Sequence, residues 1–322
     1  MATFVLTIPQ RGAFIGVSSM PELLDYAPRA EATGLFDSVF VGDSITAKPR
    51  PEAITLLGAL AGSTETLKLG VGCMASMPVR DPVVFAYQWA TLDLVSQGRA
   101  LLAACTGIVA ADGASRREGS HFGGITDIDR PARLEEAIEL CRLLWTGAPI
   151  SYDGRFYSYE DLQIQPATVQ QPCPIWIAAN PAPGRYWDRS MRRVARLADG
   201  IQTCALGPGY VGMITSSLAP LLADAGKDPS TFPVSAYHNV NIGTDRDACL
   251  EESQRFLDAY YGPVFSSEQV ASWVSAGTVD QVIEHLRDLI GQGATHITLR
   301  LTSFDQDTQF RALVEEVLPA LS

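Results

Sequence analysis

Three of the six cysteines lie where predicted β-strands end, and thiols at such positions could take part in chemistry. Cys73, Cys105 and Cys204 each follow a short apolar run. In α/β barrels the active site lies at the carboxyl ends of the strands. A thiol becomes a nucleophile only when its surroundings ionise it, and the neighbours of Cys105 include no base. We expect Cys105 to line the active site as a neutral contact; alternatively it is an ordinary buried residue.

Other polar residues occupy comparable positions after predicted strands. Asp43 and Ser44 follow the second strand, and Asp43 could either orient a ligand or accept a hydrogen bond in a turn. His238 lies in the seventh strand between Tyr237 and Asn239. Because imidazole titrates near neutral pH, we expect His238 to face the barrel mouth as a catalytic candidate.

A third candidate feature is the loop that follows the fifth predicted strand. Asn180 is followed by Pro-Ala-Pro and then by Gly184 and Arg185, where a helix begins. Backbone N–H groups, the positive end of the helix dipole and a guanidinium are thereby combined, which favours binding of a cofactor phosphate. The two prolines remove two N–H donors, so a rigid turn with a solvated Arg185 is the other interpretation.

The elements that position these residues alternate between strand and helix. Eight short apolar runs, separated by seven helical connections, predict a (β/α)8 TIM barrel of the α/β class, as one domain over residues 1–322. Insertions are expected after strands 4 and 7. Residues 108–130 lack periodicity and predict a long loop that acts as a lid. The second insertion, residues 260–273, is predicted to be irregular. The strands are predicted at residues 4–8, 38–41, 68–73, 100–104, 174–178, 200–203, 234–242 and 296–301.

Composition excludes several classes of protein. The net charge of −12 and the absence of a basic stripe argue against a nucleic-acid partner. No apolar run approaches the roughly 18 residues of a membrane span, and no secretory leader is visible, so a cytoplasmic protein is expected. The cysteines form no Cys-x-x-Cys pair, and no cluster of histidines accompanies them. Neither a metal site nor a disulfide framework is therefore indicated.

The stretch from residue 51 to residue 107 resembles the central signature of the bacterial luciferase-like flavin oxidoreductases, which are TIM barrels. The resemblance continues through later motifs such as Leu144-Trp145-Thr146-Gly147 and Ala198-Asp199-Gly200. It implies a flavin held at Gly72, Cys73, Met74, Thr106 and Gly107, with a cis peptide bond between Gly72 and Cys73. The signature motifs are Leu69-Gly70, Arg80-Asp81-Pro82, Ala90-Thr91-Leu92-Asp93, Ser96-Gln97-Gly98-Arg99 and Thr106-Gly107.

The same resemblance implies a function, with two departures from the family pattern. Asp43 and Ser44 stand where luciferase and the F420-dependent sugar-phosphate dehydrogenases carry histidine, and Ile108 replaces a glutamate of those dehydrogenases. We therefore expect a monooxygenase that uses reduced FMN and O2 on a small organic substrate, with a separate flavin reductase and a homodimer as further expectations. The alternatives are an F420-dependent reductase or dehydrogenase that transfers hydride, and a non-catalytic flavin-binding protein.

Overall fold

The structure of the chain is a computed structural model that describes residues 2–107, 113–184, 186–204 and 207–321. Eight parallel strands close into a barrel in the order β1, β2, β3, β4, β7, β8, β9 and β11, and β11 pairs back onto β1. The predicted (β/α)8 fold is confirmed. The strands are β1 (Thr3–Thr7), β2 (Ser38–Val41), β3 (Lys68–Met74), β4 (Ala100–Ala104), β5 (Ile150–Asp153), β6 (Ser158–Leu162), β7 (Ile175–Ala178), β8 (Gly200–Cys204), β9 (Val234–Ile242), β10 (Val274–Gly277) and β11 (His296–Leu301).

Helices surround the barrel, and several begin at a side chain that accepts backbone N–H groups of the first turn. Asp81 accepts hydrogen bonds from the N–H groups of Val83 and Val84 at the start of α4, and Pro82 occupies the first helical position. The helices are α1 (Gly12–Ile15), α2 (Met20–Thr33), α3 (Ala53–Ala61), α4 (Pro82–Val95), α5 (Ala114–His121), α6 (Arg130–Leu144), α7 (Trp187–Leu197), α8 (Tyr210–Asp224), α9 (Arg246–Tyr261), α10 (Ser267–Trp273), α11 (Val279–Gly291) and α12 (Gln306–Ala312).

The side chains of each barrel strand alternate between two apolar layers. One set packs outward against the helices and forms the main core, with Leu69 and Val71 of β3 as examples. The other set points inward, where Phe40 and Trp176 fill the barrel with their ring centroids 6.2 Å apart. This alternation of period two decides which polar residue of each strand reaches the barrel interior.

The two insertions differ from the sequence-based expectation. Residues 108–130 were expected to be an aperiodic loop, but they contain α5; residues 108–112 lie outside the described part of the chain. Between α6 and β7, the antiparallel strands β5 and β6 form a hairpin. The insertion after β9 ends in α10 and β10, and β10 pairs with residues 239–242 of β9. The pairing of β8 with β9 ends at Tyr237. On the same side of β9, β10 pairs with the residues that follow.

Candidate active site

The end of β3 carries the irregularity that the resemblance implied. The Gly72–Cys73 peptide bond is cis, and the pairing of β3 with β4 shifts register between Gly72 and Met74. As a result Cys73 packs beside the interior cluster. Met74 instead lies fully buried in the outer core, so its side chain does not line the mouth, contrary to its prediction as a cofactor contact. Sequence alternation alone could not show this, because the bulge exchanges the faces of two consecutive residues.

The three strand-end thiols meet in the barrel mouth. The sulfur atoms of Cys73 and Cys105 lie 2.7 Å apart as free thiols, and the Cys105 sulfur also accepts the N–H of Gly107 at 3.3 Å. The hydrogen bond to Cys105, followed by burial, raises the pKa of Cys73 well above its usual value. Burial raises the pKa of Cys204 to about 12, although the charge of Arg300 acts in the opposite direction. Cys73 and Cys204 are therefore neutral thiols at physiological pH.

Beside the thiols, the missing side chain of Gly72 lets two other side chains pack against β3. A Cβ atom on Gly72 would lie 2.4 Å from Cδ2 of Phe40 and 2.8 Å from Nε2 of Gln202. Gln202 reaches this point from β8, is buried, and has an Nε2 group without a hydrogen-bond partner. The end of β3 thus has one buried donor beside it that can serve a ligand acceptor.

Asp43 and Ser44 are engaged in structural contacts. The Asp43 carboxylate accepts the N–H and hydroxyl of Ser76 at 2.8 and 2.5 Å and the Nη2 group of Arg80 at 3.0 Å. The Ser44 hydroxyl donates to the carbonyl of Lys48 at 2.9 Å. Asp43 therefore ties the end of β2 to the segment that follows the β3 bulge, and neither group is free to act as a base.

The expectation for His238 is wrong. His238 is fully buried on the outer face of β9, and its ring centroid lies 4.8 Å from that of His285 on α11. The alternation of β9 instead directs its neighbours Tyr237 and Asn239 inward. The sequence interpretation placed the histidine on the wrong face because it took no account of this parity.

Thr106 and Gly107 lie after β4, where a buried arginine holds the chain. Arg130 donates to the carbonyl oxygens of Thr106 at 3.1 Å and of Ser115 at 2.6 Å. Gly107 has a φ of +86°, and a Cβ atom there would lie 2.6 Å from Nη1 of Arg130. Both residues therefore belong to the rim of the mouth, and Arg130 joins that rim to α5.

The predicted anion loop follows β7, which is the strand next to β4 in the barrel. The Asn180 side-chain oxygen accepts the N–H of Cys204 at 2.5 Å and the hydroxyl of Thr203 at 3.0 Å. Gly184 is exposed and contributes to an open groove of about 710 Å³ between α7 and α8. Arg185 lies outside the described residues. Asn180 thus braces the end of β8, while Gly184 lies at the edge of a groove of cofactor size.

A polar wall that the sequence analysis did not assign completes the mouth. Arg300 of β11 is 4% exposed and donates to the hydroxyl of Tyr261. Its guanidinium carbon lies 5.0 Å from the ring centroid of Tyr237 and 4.3 Å from that of Tyr260. The hydroxyl groups of Tyr237 and Tyr260 are buried without partners. Arg300 is a candidate from sequence through its position at the end of the last strand, and inward parity within β9 was the signal for Tyr237. The two α9 tyrosines gave none.

The closed parallel barrel carries thiols, a buried amide and an arginine–tyrosine wall at its carboxyl rim, where such barrels place their active sites, and comparison gives the family. The model of the luciferase-like monooxygenase family matches residues 1–269, and the chain belongs to that family. It is 30% identical to an F420-dependent glucose-6-phosphate dehydrogenase of Kribbella flavida, with 93% of this chain and 94% of that protein covered. A protein of the same name from Amycolatopsis mediterranei is 27% identical, with the same coverage. The chain is an oxidoreductase.

Solved structures support the same fold. An F420-dependent secondary alcohol dehydrogenase superposes with a TM-score of 0.84 at 17% identity, covering 100% of this chain and 99% of that one. A monooxygenase from Streptomyces bottropensis superposes with a TM-score of 0.81 at 23% identity, covering 99% and 100%. No helix in the described ranges has the length and apolar character needed to cross a membrane.

Proposed function

We propose that the protein is an F420-dependent oxidoreductase that moves a hydride between the deazaflavin and a small organic substrate. The observation that carries this proposal is the buried, unpartnered amide of Gln202, which packs against Gly72 at the end of β3. Cys73, Cys105 and Gly107 lie together at the ends of β3 and β4, and they would hold the ring. The choice of F420 over FMN rests on the full-length similarity to proteins named as F420-dependent dehydrogenases.

The protein's own residues provide binding, shielding and a proton. F420 supplies the hydride chemistry when bound, and the neutral thiols of Cys73 and Cys204 keep the wall uncharged. A hydride transfer to a carbonyl requires a proton at oxygen, and Tyr237 has a buried hydroxyl without a partner. Burial raises the pKa of Tyr237 well above its usual value, even though the charge of Arg300 opposes the shift. Tyr237 therefore holds its proton at neutral pH and is the proposed donor.

Anaerobic turnover tests this function. Purified protein is mixed with reduced F420 and a panel of small aldehydes, ketones and activated alkenes, and formation of oxidised F420 is followed. We expect turnover without O2 for at least one substrate, and Tyr237→Phe should lower kcat about 10²-fold or more while F420 affinity is kept. Tyr186→Phe, which changes an exposed tyrosine on the outer rim, is the control. Absence of F420 binding at high micromolar concentration would refute the proposal.

A second candidate is the reduced-FMN monooxygenase expected from the sequence. The observation that favours it is the engagement of Asp43 by Ser76 and Arg80, together with the outward position of His238. Within the described part of the mouth, neither group can take a proton from an alcohol, so alcohol oxidation is the less suitable hydride reaction. Incorporation of ¹⁸O from ¹⁸O2 into product with reduced FMN, without turnover of F420, would establish this alternative. A separate reductase would then supply the reduced FMN.

A further inference from the structure

Three arginines converge at one side of the barrel mouth. Arg300 ends β11, Arg11 follows β1 and Arg50 lies in the loop after β2, so they come from three neighbouring strands. Arg11 and Arg300 are 7% and 4% exposed. Among the described residues, no carboxylate forms an ion pair with any of the three. Arginine is seldom buried without an anionic partner, so this arrangement calls for a ligand.

The donor groups of these arginines are only partly used. The Nε group of Arg11 donates to the carbonyl of Pro49 at 2.9 Å, but its Nη1 group is buried without a partner. The Nε groups of Arg50 and Arg300 are also buried without partners. Burial, and then the charge of Arg50, lower the pKa of Arg11. Arg11 and Arg300 both contact the ring of Tyr260, with their guanidinium carbons 5.2 and 4.3 Å from its centroid. One N–H donor group of each of the three arginines remains available for a ligand.

The acidic residues near these loops are committed to other partners. Asp43 bonds with Ser76 and Arg80, as described above. Glu118 accepts the N–H groups of Ile45, Thr46 and Ala47 at 2.7, 2.8 and 3.1 Å. Neither carboxylate contributes to the arginine cluster, so its positive charge is left for a bound molecule.

The geometry points to an oxyanion site for the substrate, formed by Arg11, Arg50 and Arg300, which takes a carboxylate or phosphate group. This inference rests on the proposed function. Guanidinium groups bind such oxyanions through paired N–H donors. The rings of Tyr260 and Tyr261 hold the Arg300 guanidinium in place, with their centroids 4.3 and 5.1 Å from its carbon.

The position of the cluster separates it from the groove beside Gly184. The groove lies at the ends of β7 and β8, and β9 intervenes between β8 and β11 in the barrel. Cys204 lies between the two regions, near both Cys105 and Arg300. Because β3 neighbours β2 in the barrel, a substrate anchored at the arginines would extend toward the thiols at the ends of β3 and β4.

Calorimetric titration with inorganic phosphate, at an ionic strength fixed with chloride, tests the site. We expect saturable binding by the unmodified protein, with Kd raised about tenfold or more in Arg50→Gln and Arg11→Gln. Arg50→Lys keeps the positive charge but loses the paired N–H donors of the guanidinium group. Its Kd for phosphate should therefore fall between those of Arg50→Gln and the unmodified protein. Arg192→Gln, which removes an exposed guanidinium on α7, should leave Kd within about twofold. Equal Kd values in all variants would overturn the proposal.

Flavin titrations of the same samples distinguish this inference from the proposed function. F420 affinity should change less than about threefold in Arg50→Gln and Arg11→Gln, because the cluster contacts the substrate and not the ring. If phosphate competes with FMN but not with riboflavin, the arginines hold the cofactor phosphate and the substrate assignment is wrong. If neither F420 nor FMN binds while phosphate binding still depends on the arginines, the proposed function is wrong and the anion site is retained.

Discussion

The thiols of the mouth are close together, yet their surroundings keep them unreactive. The hydrogen bond to Cys105 raises the pKa of Cys73, and burial raises that of Cys204 to about 12. Both groups should therefore stay protonated up to pH 9. We predict that iodoacetamide modifies them at least tenfold more slowly at pH 8 than in the urea-unfolded protein. Peptide mass spectrometry measures this. Equal rates in the two states would show that burial and the hydrogen bond do not protect these thiols, and a faster rate in the folded protein would reveal an activated nucleophile.

Gly72 gives room to the side chains of Phe40 and Gln202, and its substitution should displace them. In Gly72→Ala the new Cβ would lie 2.4 Å from the buried ring of Phe40, so the ring or the backbone must move. We expect a loss of about 1–3 kcal/mol in the free energy of unfolding and at least tenfold weaker flavin binding. Gly58→Ala is the matched control, since no atom lies within 4 Å of its Cβ position on α3. Flavin binding by Gly72→Ala that equals that of the control would contradict this assignment.

Residue types at strand ends could be predicted more reliably than the faces they occupy. Cys105 and Gly107 were predicted to lie at the active site because they belong to a local motif of the family that the sequence resembles. His238 and Met74 were assigned to the wrong face, since parity within a strand depends on the register that neighbouring strands impose. Arg11 and Arg50 are distant in sequence from Arg300, and only closure of β11 onto β1 brings their loops together.

At the scale of elements, α5 is anchored to the loop after β2 by one buried carboxylate. Glu118 is 2% exposed and accepts three consecutive backbone N–H groups. Replacement by Gln removes the charge that strengthens these bonds, so Glu118→Gln should lower the free energy of unfolding by about 1–2 kcal/mol. Hydrogen exchange at residues 45–47 should quicken, whereas Glu160→Gln on exposed β6 should leave it unchanged. Unaltered exchange in Glu118→Gln would mean that this loop is held by other contacts.

The two insertions show why local pattern identified regular strands better than irregular elements. Strands β2, β4, β9 and β11 were predicted with the bounds that the structure has, because each is a short apolar run flanked by turn residues. Helix α5, with the sequence Ala-Ser-Arg-Arg-Glu-Gly-Ser-His, has no apolar stripe. Its stability depends on tertiary contacts such as those of Glu118, which sequence periodicity cannot reveal. Whether residues 108–130 act as a lid remains a prediction.

At the scale of the whole molecule, the barrel separates its polar groups between two faces. The barrel mouth contains the three strand-end thiols and the arginine cluster. The outer layer is an apolar core, and His238 and His285 are in contact there. Both ring nitrogens of His238 lack partners. Burial and then the neighbouring His285 lower the pKa of His238 well below its usual value of 6.5. Burial also lowers the pKa of His285, while Asp288 raises it and Arg246 lowers it.

The sign of the resulting pH dependence follows from linkage. The unfolded chain binds a proton at His238 near pH 6.5, while the folded chain resists it, so stability is complete above pH 6.5 and falls below it. Burial lowers the pKa of His296 to about 4, which acts in the same direction. In urea unfolding at pH 7.0, 6.0 and 5.0, we expect the His238 contribution to fall by up to about 1.4 kcal/mol per pH unit below pH 6.5. His238→Leu should flatten this decline, because it removes the buried titrating ring, while His121→Asn on the exposed face of α5 should not. An identical pH dependence in His238→Leu and the unmodified protein would show that His238 accepts a proton within the folded barrel.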